Sequence, residues 1–444
     1  MKISYNWLSD YIKHNETPEN LDQILTDTGL EVEGVEKIEG APGGFQGLVV
    51  GEVLTCEKHP DADRLRVTTV NIGEEEVLQI VCGAPNVAAG QKVIVATVGT
   101  TLYPVEGESF KIKRSKIRGV ESIGMICAED EIGIGKSHDG IMVLDASVKV
   151  GTPAAEYFNI QDDYLLEIGL TPNRADAMGH IGVARDIRAF LNTHRQANIE
   201  LQWPVIKDFT VNATSPVKIE IANKIACPRY CGLTIDGIQI EASPEWLQQR
   251  LRVIGLSPIN NVVDVTNYVM HELGTPLHAF DAQVVNGHVV VRNAKQDEVF
   301  TTLDGTERKL HADDLVIANA NEAMCIAGVF GGQKSGVSEK TTAIFLESAV
   351  FDAVTVRKTA RRHGLNTDAS FRFERGVDPE LTLYALKRAA QLIIEVAGGH
   401  IASEPQDLVN ADFQPTTLDF SISACNRLIG MDLETSTIET ILSN

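Results

Sequence analysis

The sequence predicts a multidomain α+β protein. A small β-barrel or sandwich interrupts a short α/β domain, and a larger α+β domain follows. Three observations point there. The 444 residues, at roughly 150 per domain, suggest about three domains. From about 44 to 150 the chain is a series of short β-like runs (LVVGEVL, LRVTTVNI, LQIVC, KVIVATV, FKIKRSKIR) separated by Gly, Asn and Pro. Such close spacing suggests a barrel or sandwich, and five strands fit the length. Beyond about 205, strand-like runs alternate irregularly with helical ones.

Residues 1–40 read as helix, then strand. Thr17 can cap a helix with Pro18 at its first position, and Leu21, Ile24 and Leu25 give it an apolar face. Gly29 ends it. Residues 151–204 carry a strand near 164–169 and a helix near 182–191. Each flanking piece is too short to bury a core alone, so 1–40 and 151–204 are expected to pack as one discontinuous domain around a barrel of 41–150. The α+β domain spans 205–400. Its strands are VKIEI, GLTIDGIQI, HVVVRNA, LVIANA and AIFLESAVF, and its helices cover 244–254 and 379–397. Asp378 is the expected cap of the last helix and Gly398-Gly399 the stop. Residues 412–444 read as a strand and then helix-turn-helix pieces. The pattern stops partway through TIETILSN, which suggests a cut chain.

Apolar residues at 43% and charged residues at 23% exclude wholesale disorder. The opening MKISYNWLSDYIKHNE is too polar for a signal peptide, and no run approaches the ~18 apolar residues that span a bilayer. Seven scattered cysteines fit reduced thiols of the cytoplasm better than a disulfide framework. Cys227 and Cys231, the only close pair, read as buried structural residues, because zinc would want a second pair or nearby His.

The 39 Lys and Arg against 61 Asp and Glu leave a net charge of −22, which argues against a protein that coats nucleic acid. Counting by region narrows that. Residues 41–150 hold 11 cationic and 15 acidic residues, and five of the eleven are Lys111, Lys113, Arg114, Lys116 and Arg118. Strand alternation would turn Ile112 and Ile117 inward and several cations outward. A second basic run contains Arg357, Lys358, Arg361 and Arg362. By itself the barrel run reads as a solvated strand face, whereas for Arg357, Arg361 and Arg362 a solvated helix face and an RNA contact weigh evenly, so any RNA contact is local.

Longer motifs change the weighing. The stretch His59-Pro-Asp-Ala-Asp-Arg-Leu65, then Val81-Cys-Gly-Ala-Pro-Asn86, then Gly119-Val-Glu-Ser-Ile-Gly-Met125 resembles the OB-type tRNA-binding domain shared by several synthetase-associated proteins. Further motifs are Thr171-Pro-Asn-Arg-Ala-Asp176 with Gly182-Val-Ala-Arg185, Asn261-Val-Val-Asp-Val-Thr-Asn-Tyr268 and Pro276-Leu-His-Ala-Phe-Asp281. Ala327-Gly-Val-Phe-Gly-Gly332 and Phe371-Arg-Phe-Glu-Arg-Gly-Val-Asp-Pro379 follow. Together they resemble the β subunits of bacterial phenylalanyl-tRNA synthetases over the whole chain, although that family's members are nearly twice as long.

The resemblance implies a function. Aminoacylation with ATP and magnesium takes place in the α subunit. The β subunit binds tRNA(Phe) and hydrolyses tyrosine wrongly attached to it, in the domain here spanning 205–400. The assembly is an (αβ)2 heterotetramer, cytoplasmic and away from membranes. Family magnesium ligands fall past the end of this chain, so no metal or cofactor is expected in it.

A single hydroxyl separates the two amino acids, and an apolar pocket rejects an added hydroxyl weakly, so a second hydrolytic sieve is needed. A buried acceptor would welcome tyrosine and be left unpaired by phenylalanine. Read alone, Glu347 in the run AIFLESAVF would be a solvent-facing strand carboxylate, and His278 a packed core imidazole. The resemblance makes Glu347 the tyrosine-reading group and His278 a residue near the scissile ester that positions water or helps as a base. It makes Thr266, Asn267, Pro276, Thr367 and Ala369 pocket-lining, and Gly328, Gly331 and Gly332 sites where backbone approaches the aminoacyl group. Read alone, Thr367 is a helix cap. One departure stands out. Many family members carry Arg where this chain has Ser257, and Arg252 or Arg361 would have to substitute. No nucleophile elbow is present, so hydrolysis by a positioned water is the expected mechanism. Two other readings remain open: a non-catalytic scaffold for tRNA or the α subunit, and a module docking a protein through its acidic surface.

Overall fold

The computed structural model describes residues 1–134, 137, 139–208, 211 and 217–443. Residues 135, 136 and 138 of the predicted barrel, 209, 210 and 212–216 of the predicted α+β domain, and 444 lie outside them. The chain divides into two compact units, one of residues 37–163 and one assembled from 1–36 and 164–444.

In the first unit, five antiparallel strands run in the order Met125–Ile126, Lys92–Ala96, Leu48–His59, Ala62–Asn71, Leu78–Cys82, and a sixth, Val143–Leu144, also pairs with Lys92–Ala96. The sheet curls until its two ends nearly meet: Ile123 N–H donates to Gln79 O (2.8 Å) and Val81 N–H to Ser122 Oγ (3.0 Å). The long strand can serve two neighbours because bulges bend it at 53–55 and 58–59. The run KVIVA is apolar throughout because both its faces are covered. Val93 and Val95 join one buried cluster, and Ile94 and Ala96 another.

The basic stretch is not one strand. Phe110–Lys111 pairs with Thr101–Leu102, and Ser115–Ile117 pairs with Val120–Ser122. Ile112 is buried as expected, whereas Ile117 is only half-buried.

In the second unit, a three-stranded sheet runs Lys2–Ser4, Asp163–Ile168, Val32–Ile38. Thr17 caps the helix Pro18–Asp27, accepting from Asn20 N–H at 3.3 Å, and Leu21, Ile24 and Leu25 are buried. Gly29 turns the chain at φ +92°. The helix His180–His194 packs beside the helices Tyr5–Leu8 and Pro18–Asp27, with Ile181, Val183, Ile187 and Leu191 buried.

The α+β part holds two five-stranded sheets. One runs Lys218–Ile221, His288–Asn293, Leu315–Ala318, Ala323–Ile326, Phe330–Gly331. The other contains β1 (Arg229–Asp236), β2 (Leu277–Asp281) and β3 (Ala343–Val350) in the order β2-β3-β1-His400–Ile401, with Gln406–Val409 also on β1. Seven of the eight residues of β3 are buried, so a charged residue there has no route to solvent.

Three expectations need correction. The helices of the α+β domain are not limited to 244–254 and 379–397: the stretch 261–273 is a 13-residue helix, α1 (Asn261–Leu273). Asn260 caps it by accepting from Val262 and Val263 N–H. The last long helix starts at Leu381 with Glu380 as its cap residue, and Asp378 only accepts from Glu380 N–H (2.9 Å) in the preceding turn. No strand follows 412 among the described residues. The region around Pro415 has no ladder partner, and Leu418 and Phe420 are exposed. Two helices follow instead, Ile422–Ile429 and Thr435–Ser443.

A buried pair across a sheet and a basic barrel face

The centre of the candidate site is a row of residues across the β2-β3-β1 sheet. His278 on β2 and Gly232 on β1 both lie directly opposite Glu347 on β3. Directly opposed side chains share a face, so the imidazole and carboxyl neighbour each other. Gly232 is required because a side chain there would run into the Phe345 ring, 2.3 Å from its Cβ position. Glu347 is 4% exposed, and the Tyr230 O–H donates to its Oε2 at 3.0 Å. Burial pushes the Glu347 carboxyl up to about 8, against the pull of that hydrogen bond. It therefore holds a proton at neutral pH. This changes the expectation of a simple acceptor: the group can donate, and a ligand hydroxyl can accept.

His278 is half-buried, with its Nε2 shielded and without a hydrogen-bond partner. Its ring meets Phe280 edge-on, with centroids 4.4 Å apart. Burial pulls the imidazole down to about 4. A neutral ring with so low an affinity for protons is a poor general base at pH 7.

Gly331 belongs to the same cluster, since a Cβ there would lie 3.1 Å from His278 Cε1 and 2.9 Å from Leu303 Cδ1. Gly328 and Gly332 do not. At Gly328 (φ +69°) a Cβ would meet Phe373 and Phe351, and at Gly332 the Met324 carbonyl. Both are glycines for packing reasons. Thr367 caps α2 (Asp368–Phe373) in a reciprocal arrangement with Ser370, and its Oγ donates to Val329 O at 3.0 Å. It thus ties α2 to the 328–331 turn. Ala369 packs on the core beside it. Thr266 gives its hydroxyl to Val263 O (2.7 Å) within α1, while Asn267 follows on the same helix. Pro276 is buried just ahead of β2.

Neither proposed substitute for the missing arginine fits that role. Arg252 is held on its own helix by Glu245 (3.0 Å) and Gln248, and Arg361 is exposed on the helix Ala353–His363. A cavity of about 470 Å³ beside Leu256 is lined by Lys2, Gly255, His271, Thr367 and Arg372, among others. Lys2 Nζ lies 3.0 Å from the Cβ position of Gly255. Arg372 is 1% exposed and bonds Met178 O, Asp368 O and His271 Nδ1. Burial pulls it down to about 10. Lys2 and Arg372 escaped sequence reasoning because they come from the chain start and from the middle of a motif.

Of the second basic run, Arg357, Lys358 and Arg361 are exposed. Arg362 is not free for a ligand: it pairs with the fully buried Asp314, which also accepts from His363 Nε2 (2.8 Å) and Thr359 Oγ (3.0 Å). It pins its helix to the sheet.

On the barrel, Lys111, Lys113, Arg114, Lys116 and Arg118 are all exposed. The three barrel motifs explain why the run sits where it does. His59 Nδ1 accepts from Asp61 N–H, so its Nε2–H donates to Ile117 O at 3.0 Å. Asn86 bonds both Ile141 N–H and Ile141 O at 2.9 Å. Ser122 receives Val81 N–H. These braces frame a cavity of about 600 Å³ lined by Val81–Pro85, Lys111, Lys113, Ser122 and Met125.

All seven cysteines are free thiols, and Cys227 and Cys231 are fully buried. Among the described residues no three His, Cys, Asp or Glu side chains are grouped to hold a metal, and no helix is long and apolar enough to cross a membrane.

The barrel and the two-sheet domain define the class of protein. Residues 48–153 match the family "Putative tRNA binding domain", and residues 226–398 match the B3/4 domain. Over its full length the chain is 55% identical to the "Phenylalanine--tRNA ligase beta subunit" of Bacteroides fragilis, 54% to that of Porphyromonas gingivalis and 46% to that of Pectobacterium atrosepticum. It belongs to the family of phenylalanine--tRNA ligase beta subunits. It spans 54% of the length of each of these relatives.

Proposed function

We propose that this part of the subunit binds tRNA(Phe) through the barrel (41–150) and hydrolyses tyrosine mischarged onto it in the α+β domain (205–400). The observation that carries the reading is the buried Glu347 opposite the half-buried His278, with the Gly331 backbone against the imidazole. Both groups are neutral at pH 7, so a neutral tyrosine ring can enter without a stranded charge. Glu347 meets the phenolic hydroxyl, and phenylalanine leaves it unpaired. His278 orients a water toward the ester, and tRNA hydroxyls complete the alignment. On this reading the α subunit, the (αβ)2 assembly, ATP and magnesium serve aminoacylation elsewhere, in the cytoplasm.

The test is release of tyrosine from Tyr-tRNA(Phe). His278→Ala should lower the rate at least tenfold. Gly331→Ala, whose methyl would displace the imidazole, should lower it by a similar factor with tRNA affinity unchanged. Wild-type rates in both variants would remove the assignment. A non-catalytic scaffold remains the second reading, favoured by Ser257 in place of the family arginine. Tight tRNA binding without turnover would select it.

tRNA binding should depend on few phosphates. Lys113→Ala with Lys116→Ala should weaken binding at any tRNA sequence and flatten the slope of log affinity against log salt by about 1 to 2. A wild-type slope implying ten phosphate contacts would contradict this local patch.

A further inference from the structure

We infer that Tyr230 is a positioning residue of this site: its O–H holds Glu347 Oε2 and leaves Oε1 as the carboxyl oxygen that meets a ligand hydroxyl. The inference rests on the proposed hydrolytic reading and adds to it the group that fixes which oxygen reads the substrate.

The sheet geometry supports it. Gly232 lies opposite Glu347, and Tyr230, two residues away on the same face, reaches the carboxyl on the diagonal. Tyr230 is 0% exposed and cannot swing away. Its bond at 3.0 Å is the only hydrogen bond to the Glu347 carboxyl group among the described residues.

The other titratable groups near the carboxyl are neutral at pH 7. The Cys227 and Cys325 thiols, each pushed up chiefly by burial, approach from the loop before β1 and from Ala323–Ile326. The Tyr230 phenol is likewise pushed well up by burial. The fourth is the neutral His278 on β2. With no cation beside it, Glu347 keeps its proton. An oxygen already accepting from Tyr230 is the carbonyl oxygen of the acid, so the proton sits on Oε1. Oε1–H then donates to the phenolic oxygen of tyrosine. Phenylalanine offers nothing there, a loss of roughly ten- to hundredfold.

Tyr230→Phe frees Oε2, so the carboxyl can turn either oxygen toward the pocket. Two readouts follow. The ratio of kcat/KM for Tyr-tRNA(Phe) over Phe-tRNA(Phe) should fall about tenfold. The pH at which Glu347 ionises, followed by the infrared band of the protonated carboxyl, should rise, because the lost bond favoured the ionised form. Incorporating 3-fluorotyrosine at position 230 keeps the packing and strengthens the donor, so it should move the ionisation down. That variant decides the matter even if Tyr230→Phe does not fold. An unchanged ratio in Tyr230→Phe, or an ionisation unmoved by fluorotyrosine, overturns the inference alone, provided the wild type hydrolyses Tyr-tRNA(Phe). A wild type that leaves the ester intact removes the hydrolytic reading and this inference with it.

Discussion

Glu347→Gln is expected to stabilise the protein above neutral pH while keeping hydrolysis within about tenfold of wild type, whereas Glu347→Ala loses it. The carboxyl is raised from 4.5 to about 8 in the folded chain. A raised carboxyl contributes its full stability below about pH 4.5. That contribution is lost as pH climbs toward 8, because the unfolded chain ionises first. The gap corresponds to on the order of 5 kcal/mol by pH 9. Gln cannot ionise, still accepts from Tyr230, and still places an N–H where Oε1–H stood. Its melting temperature should therefore exceed the wild type's by a margin that widens from pH 5 to 9. Parallel curves from calorimetry would mean the carboxyl is not held as an acid. Glu347→Ala leaves the Tyr230 hydroxyl without its partner and a cavity in β3, and should cost about 2–4 kcal/mol in stability as well.

Acid is expected to destabilise the second unit steeply. His180 is pulled down to about 3, His278 to about 4, and His271 well below its ordinary value, all chiefly by burial. The His180 ring accepts from Ser4 N–H at Nε2 and therefore donates from Nδ1 to His271 O, with Trp7 stacked on it at 3.9 Å. None of these rings can take a proton without losing a bond or stranding a charge. For lowered histidines the stability is complete above about 6.5 and is lost as pH falls through that value. Each such ring takes up a proton on unfolding, which costs about 1.5 kcal/mol between pH 6.5 and 5, while Glu347, Glu272, Asp264 and Asp186, raised by burial, act in the opposite sense. Urea unfolding at pH 7 and 5, with proton uptake measured by calorimetry in two buffers, checks it. His278→Gln should remove about one proton of the slope; a slope that stays the same would place the acid sensitivity elsewhere.

Local signals were the legible ones. Thr17-Pro18 gave a helix start because capping and proline preferences act within one turn. KVIVATV and AIFLESAVF read as strands because continuous apolar β-branched runs need cover on both faces. The helix Asn261–Leu273 escaped because its apolar residues are scattered among polar ones, and Asn260 supplies the start signal alone. Among the glycines of Ala327–Gly332, sequence could not tell that Gly331 faces His278 while Gly328 and Gly332 make room for aromatic rings and a carbonyl.

Arg362 shows the same limit on the charged side. In the chain it is one of several adjacent cations; in space a buried aspartate 48 residues earlier claims it. The cavity beside Leu256 shows it again, because its cations, Lys2 and Arg372, lie at distant positions of the chain.

Short-range pattern was enough for the class of most segments, the position of the barrel's basic run and the family. These depend on patterns within a few tens of residues. Only the tertiary structure decided which polar residues meet. Glu347, His278, Tyr230 and Gly331 come from four strands, and their pairing depends on sheet order and register. Burial in that sheet then set the protonation of Glu347 and His278, because taking a charge out of water outweighs any preference written into the residue itself.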